Sequence, residues 1–137
     1  MTTNSTNQII LQISTETICF IIAKAHEFHA KEQVVFPEES DSPDDDWALQ
    51  VLADHASDPT YLELKSAIDN LSPEEQVELV ALMWLGRGVY ESEEWRTALE
   101  EARENWNERT AEYLIGTPLV ADYLEEGLAQ LGYTCTE

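Results

Sequence analysis

Apolar side chains along this chain recur every three or four positions, and proline marks several of the breaks between such runs. Ile18, Ile21, Ile22, Ala25 and Phe28 make one helical face, with Ser14 as its cap and Ile13 and Ile18 spaced as a hydrophobic staple. A second helix opens at Ser42-Pro43, with Asp45 as an acidic capping-box partner and Trp47, Val51 and Leu52, extended by His55, on its inner stripe. Asp58-Pro59 opens a third, with Leu64, Ala67, Ile68 and Leu71 inward, and Ser72-Pro73-Glu74-Glu75 opens a fourth with a full capping box. Val77 to Leu85 is apolar except for Glu78, so the fourth helix is expected at the centre, stopped by Gly86 and Gly88.

Ser92 is read as the cap of a fifth helix from Glu93 to about Leu114, with Trp95, Leu99, Ala102, Trp106, Arg109 and Tyr113 on one side. Thr117-Pro118 is read as the start of a sixth, with Val120, Tyr123, Leu124, Leu128 and Leu131 inward and Gly132 as its stop. Four of the five prolines thus follow a residue able to cap, and proline fits a first helical position because it has no N–H to leave unpaired. The pattern predicts an all-α, single-domain bundle of about six short helices over residues 14–132. A flexible or extended segment, with Ile9 to Ile13 as a short strand or an extended lead-in, occupies 1–13. An acidic loop is expected at 32–46 and a flexible tail at 133–137.

Charge changes the picture more than length does. Among 137 residues, 28 acids face 7 Lys and Arg, a formal charge of −21 where a small domain usually carries a magnitude of about 2 to 8. Ten acids and no base lie between Lys31 and Lys65. Nucleic acid is excluded as a direct ligand, because phosphate binding works through Lys and Arg that release counterions, and an anionic membrane is disfavoured likewise. The longest apolar runs, Ile18 to Ala23 and Leu79 to Leu85, fall far short of a bilayer span, and the polar start lacks the basic and apolar regions of a secretory signal. Cys19 in an apolar run and Cys135 near the end read as unpaired thiols rather than a disulfide framework. These features together predict a cytoplasmic protein.

Candidate chemistry is sparse. His26 and His29 stand at i, i+3, a spacing able to present two imidazoles to one metal, but surface or helix-end histidines are the ordinary reading and no metal or cofactor is expected. A di-iron bundle is excluded, as no His follows a Glu at the required spacing. Glu93/Glu94, Glu100/Glu101 and Glu125/Glu126 are paired carboxylates of the kind that chance produces in so acidic a chain. Gly86-Arg87-Gly88 could clasp a carboxylate or phosphate, though it follows a helix, where the dipole repels an anion. Arg87, Arg109, Tyr113, Asp122 and Tyr123 make up the candidate ligand-binding set, a pocket between the fourth, fifth and sixth helices. The competing role for Arg109 is an ion pair with Asp122 that sets the register of the last two helices.

Two stretches carry a family likeness: Leu79-Val80-Ala81-Leu82-Met83-Trp84-Leu85-Gly86-Arg87-Gly88, and Arg109 to Leu119 continued by Asp122-Tyr123-Leu124-Glu125-Glu126-Gly127-Leu128. Together they resemble the bacterial family called domain of unknown function 3775, and Cys19-Phe20-Ile21-Ile22 is similar to the N-terminal part of its longer members. The likeness covers most of 14–132. It implies a small bacterial protein and transfers no activity, cofactor or site residue.

Charge and fold together predict a non-enzymatic interaction or regulatory module that binds a basic protein partner or a second copy of itself. Mimicry of nucleic acid by carboxylates is a sharper form of this reading. Solubility or a halophilic or cold-water host would explain the same acidity. The alternative is a small-ligand binder or enzyme built on the five residues above.

Overall fold

Caps form where a side chain reaches the first free amides. Asp58 accepts hydrogen bonds from the Thr60 and Tyr61 amides at 2.7 and 3.3 Å. Ser72 Oγ accepts from the Glu75 amide at 3.2 Å while the Glu75 carboxylate accepts from the Ser72 amide at 2.9 Å. Ser14 Oγ accepts from the Thr17 amide at 3.1 Å. Each satisfies a backbone donor that the helix itself leaves free.

The computed structural model describes residues 9–32 and 57–135. The expected second helix with Ser42-Pro43, Trp47, Val51, Leu52 and His55, nearly all of the 32–46 loop, and residues 1–8 lie outside them. The described elements are α1 (Thr15–Glu32), α2 (Pro59–Asp69), α3 (Pro73–Arg87), a 3-10 turn (Ser92–Glu94), α4 (Trp95–Asn105), α5 (Thr110–Ile115) and α6 (Val120–Gln130). The protein is all-α, with no strand among the described residues. No helix there is long and apolar enough to cross a membrane.

α3 is the axis of the bundle, with every residue from Gln76 to Leu85 buried. α6 and α4 pack on it, α1 packs on α2 and α6, and α2 on α5. The α3–α6 crossing is unusually close. A Cβ built on Gly86 would stand 1.8 Å from the Tyr123 carbonyl oxygen, and one on Gly127 would stand 2.3 Å from the Leu82 carbonyl oxygen. Each helix thus offers a glycine to the other's backbone. Gly86 lies inside α3 rather than ending it, which corrects the expected stop. Gly88, at φ 91, is the left-handed cap; its N–H donates to the Leu85 carbonyl at 3.1 Å and the Val89 N–H to the Trp84 carbonyl at 3.0 Å, which closes the last turn.

The expected fifth helix is broken. A 3-10 turn precedes α4, and Ser92 lies within that turn instead of capping; the Glu94 carboxylate accepts from the Glu91 amide at 2.8 Å. α4 ends at Asn105, and Trp106 leaves the helix in an extended conformation. Asn107 Oδ1 accepts from the Arg109 amide at 2.8 Å and Thr110 Oγ1 donates to the Asn107 carbonyl at 2.7 Å. This local turn competes with helix continuation, as asparagine side chains do. Thr117 does not cap α6 either. Its hydroxyl donates to the Tyr113 carbonyl at 2.7 Å, and exposed Leu119, at φ 64, makes the turn into Val120.

The two cysteines are joined by a Cys19–Cys135 disulfide, which overturns the reading of unpaired thiols. The partners lie 116 residues apart, so no local spacing announced them. The tail is therefore tied to α1 as far as Cys135. Tyr133 reinforces the tie, its hydroxyl donating to the Ile9 carbonyl. The lead-in is held from the other side. The Gln12 and Ile13 amides donate to the Glu78 carboxylate at 2.9 to 3.0 Å, which explains the single charged residue in the apolar run of α3. Burial nonetheless pushes the Glu78 carboxyl above the usual glutamate value, the two amides opposing the rise.

Candidate functional site

Tyr113 lies in the core on α5, 1% exposed, and its hydroxyl accepts from Trp84 Nε1 at 2.9 Å. That bond satisfies an indole N–H that burial would otherwise leave costly. Arg87, the last residue of α3, lines a cleft with Trp84, Val89, Tyr90, Glu101 and Asn105, to which none of the other four expected residues contributes. Arg109 precedes the first turn of α5 and is half-buried. Tyr123 is half-buried on α6, its carbonyl beneath Gly86. Asp122 is exposed and stands beside His26 of α1, their nearest polar atoms 3.6 Å apart, where the sequence had suggested Arg109. Trp84 connects the two expected residues on either side of it: it bonds Tyr113 inward and borders the cleft of Arg87 outward.

The interior has a cavity of about 10 Å³ walled by Ile21, Ala25, Leu64, Leu79, Leu124 and their aliphatic neighbours. It offers a bound molecule no polar contact, and a space of one water volume lined this way stays dry.

The outward chemistry concentrates on residues 91–108. Glu91, Glu93, Glu94, Glu100, Glu101, Glu104 and Glu108 are all exposed there. Of the two bases in the stretch, Arg103 is paired with Glu74 of α3 at 2.5 Å, which holds its guanidinium above its ordinary pKa. Trp106 follows the last residue of α4, with Glu104 and Glu108 two positions to either side of it in the sequence. Three of the four tryptophans lie in the described residues; Trp84 and Trp95 are buried as expected, whereas Trp106 is 37% exposed. Its indole N–H donates to Gln76 Oε1 at 2.6 Å, and Gln76 Nε2 donates to the Ile68 carbonyl at 2.8 Å. The ring is thereby anchored to α3 and the end of α2 while one side remains open. The pattern placed Trp106 inward because it assumed an unbroken helix; the two asparagines flanking it were the available signal of the break.

A family model described as "Protein of unknown function (DUF3775)" matches residues 61–133, from α2 through the end of α6. The match omits the Cys19-Phe20-Ile21-Ile22 stretch of α1. No curated protein and no solved structure matches the chain.

Proposed function

This chain belongs to the DUF3775 family, and from that premise we propose that it is a non-enzymatic interaction module whose acidic face at residues 91–108 receives a basic protein segment. The observation that carries the proposal is Trp106, an anchored and exposed indole in a stretch of chain that bears seven exposed carboxylates. Tryptophan is enriched among residues that dominate binding energy, and its ring accepts a guanidinium or ammonium by cation–π attraction. The carboxylates of the stretch draw such a cation in and accelerate its encounter. Self-association through this face is opposed by like charge. Cysteine usage lends a cytoplasmic placement no support, since a disulfide such as Cys19–Cys135 persists best in oxidising compartments.

The test is calorimetric titration with an arginine- and lysine-rich peptide. Binding at low ionic strength is expected to weaken at least about tenfold in about 0.5 M salt, where the Debye length falls to about 4 Å. The triple variant Glu100→Lys, Glu101→Lys, Glu104→Lys is expected to abolish it. Binding that ignores salt, or that survives the charge reversal, refutes the proposal.

A further inference from the structure

His26 lies on the exposed side of α1 opposite the first turns of α6, where Asp122 and Glu125 stand at i, i+3 on one face. One donor atom from each of the three residues falls within 4.8 Å of the other two. The partner that spacing suggested for His26 is engaged elsewhere. His29 Nε2 meets the Ile115 carbonyl at 2.9 Å, and burial lowers its pKa, so it serves as a neutral N–H donor inside the bundle. The donors that do converge come from two helices that pack against each other, with Ile22 and Ala25 buried on α1 and Ala121 and Leu124 buried on α6.

Zinc and its neighbours hold nitrogen and oxygen ligands at about 2.0 to 2.2 Å, which puts tetrahedral donors about 3.4 Å apart. His26 Nε2 and Asp122 Oδ1 are already 3.6 Å apart, and Glu125, exposed, can swing to the same point by rotamer change. An imidazole with two carboxylates suits a borderline first-row dication better than Ca²⁺ or Mg²⁺, which favour all-oxygen shells. In a chain of charge −21, two carboxylates facing one point repel each other, and a dication removes that repulsion. His26 and Glu125 also line an open groove with Cys19, Phe20, Thr134 and Cys135, which gives an ion access.

We propose that His26, Asp122 and Glu125 form a binding site for a borderline divalent cation such as Zn²⁺, with water completing the coordination. The site spans α1 and α6 and is separate from the acidic face at 91–108. The experiment is titration of the full chain with Zn²⁺ in millimolar Mg²⁺, which occupies diffuse carboxylate binding. One Zn²⁺ per chain is expected, with the His26 imidazole proton signals shifting in step. His26→Ala is expected to weaken binding by about a hundredfold or more, since even partners one shell out from a metal are worth 10 to 100-fold. Asp122→Asn and Glu125→Gln are each expected to weaken it at least about tenfold, and Glu101→Gln to leave it unchanged. Absence of saturable binding under Mg²⁺, or equal affinity in the protein and in His26→Ala, overturns the proposal.

Discussion

Replacing Gly127 by alanine tests the α3–α6 crossing directly. Helix propensity alone favours alanine over glycine by about 1 kcal/mol in a helix interior. The structure predicts the opposite sign. The new Cβ would stand 2.3 Å from the Leu82 carbonyl oxygen and 3.1 Å from its carbon, and contacts below 3.0 Å are essentially never found. The obstacle is backbone, so rotamer change cannot relieve it and α3 and α6 must move apart. A gap of 0.5 to 1 Å forfeits about a quarter to a half of each affected dispersion contact, and overpacking a dense core typically costs about 1 to 3 kcal/mol, sometimes more. A clash with backbone belongs at the upper end of that range, so with the propensity gain of about 1 kcal/mol set against it Gly127→Ala should destabilise by about 2 kcal/mol. Gly86→Ala, facing the Tyr123 oxygen at 1.8 Å, should cost more. Gly88→Ala is the control: nothing lies within 4 Å of its Cβ, and only its φ of 91 opposes the change, at about 1 kcal/mol. Urea and thermal denaturation read these values, with about 3 to 5 °C of Tm for each kcal/mol in a domain of this size. The double variant should cost less than the sum of the singles, because helices already parted make room for the second methyl. A Gly127→Ala variant as stable as the parent, or more so, would refute the close crossing.

Two further predictions concern the ends of the chain. Cys135→Ser, or reduction of the parent, should lower stability by up to about 4 to 5 kcal/mol in the chain-entropy account, because the bond closes a loop of 116 residues; melting with and without reductant reads it, and an unchanged Tm would contradict the disulfide. Glu78 should make stability fall with rising pH: its folded pKa is raised by burial, so its favourable contribution is present below the unfolded value of about 4.5 and is lost as pH climbs through the folded value. Urea titrations from about pH 4 to 7 should therefore show the parent losing stability relative to Glu78→Gln, and a pH-independent difference between them would sink the argument.

Local rules made much of the bundle readable. Asp58 and Ser72 cap as their side chains require, and Ile18, Ile21, Ile22, Ala25 and Phe28 are all buried as the period of α1 demands. Legibility failed where a local rule had a close competitor. Asn107 and Thr110 fold a turn out of what looked like one long helix, and Thr117 bonds backward to Tyr113 rather than forward to α6. It failed more completely for relations across the fold. The Cys19–Cys135 bond, the Glu78 carboxylate under the Gln12 and Ile13 amides, and Asp122 beside His26 each join residues whose sequence separation carries no signal. Of the candidate ligand set, Tyr113 was placed correctly inward by periodicity, but its hydroxyl belongs to Trp84. The reciprocal glycines were visible as interruptions in good helices, yet only the crossing explains them.

Cys19 and Cys135 bracket every described element beyond the start of α1, and Ile9, outside that bracket, touches Tyr133 just inside it. A tensile load applied at the two termini therefore meets a covalent hasp before it reaches α2 to α6. The enclosed helices are mechanically shielded while the hasp is shut, and once it is opened the same pull unzips them from either side.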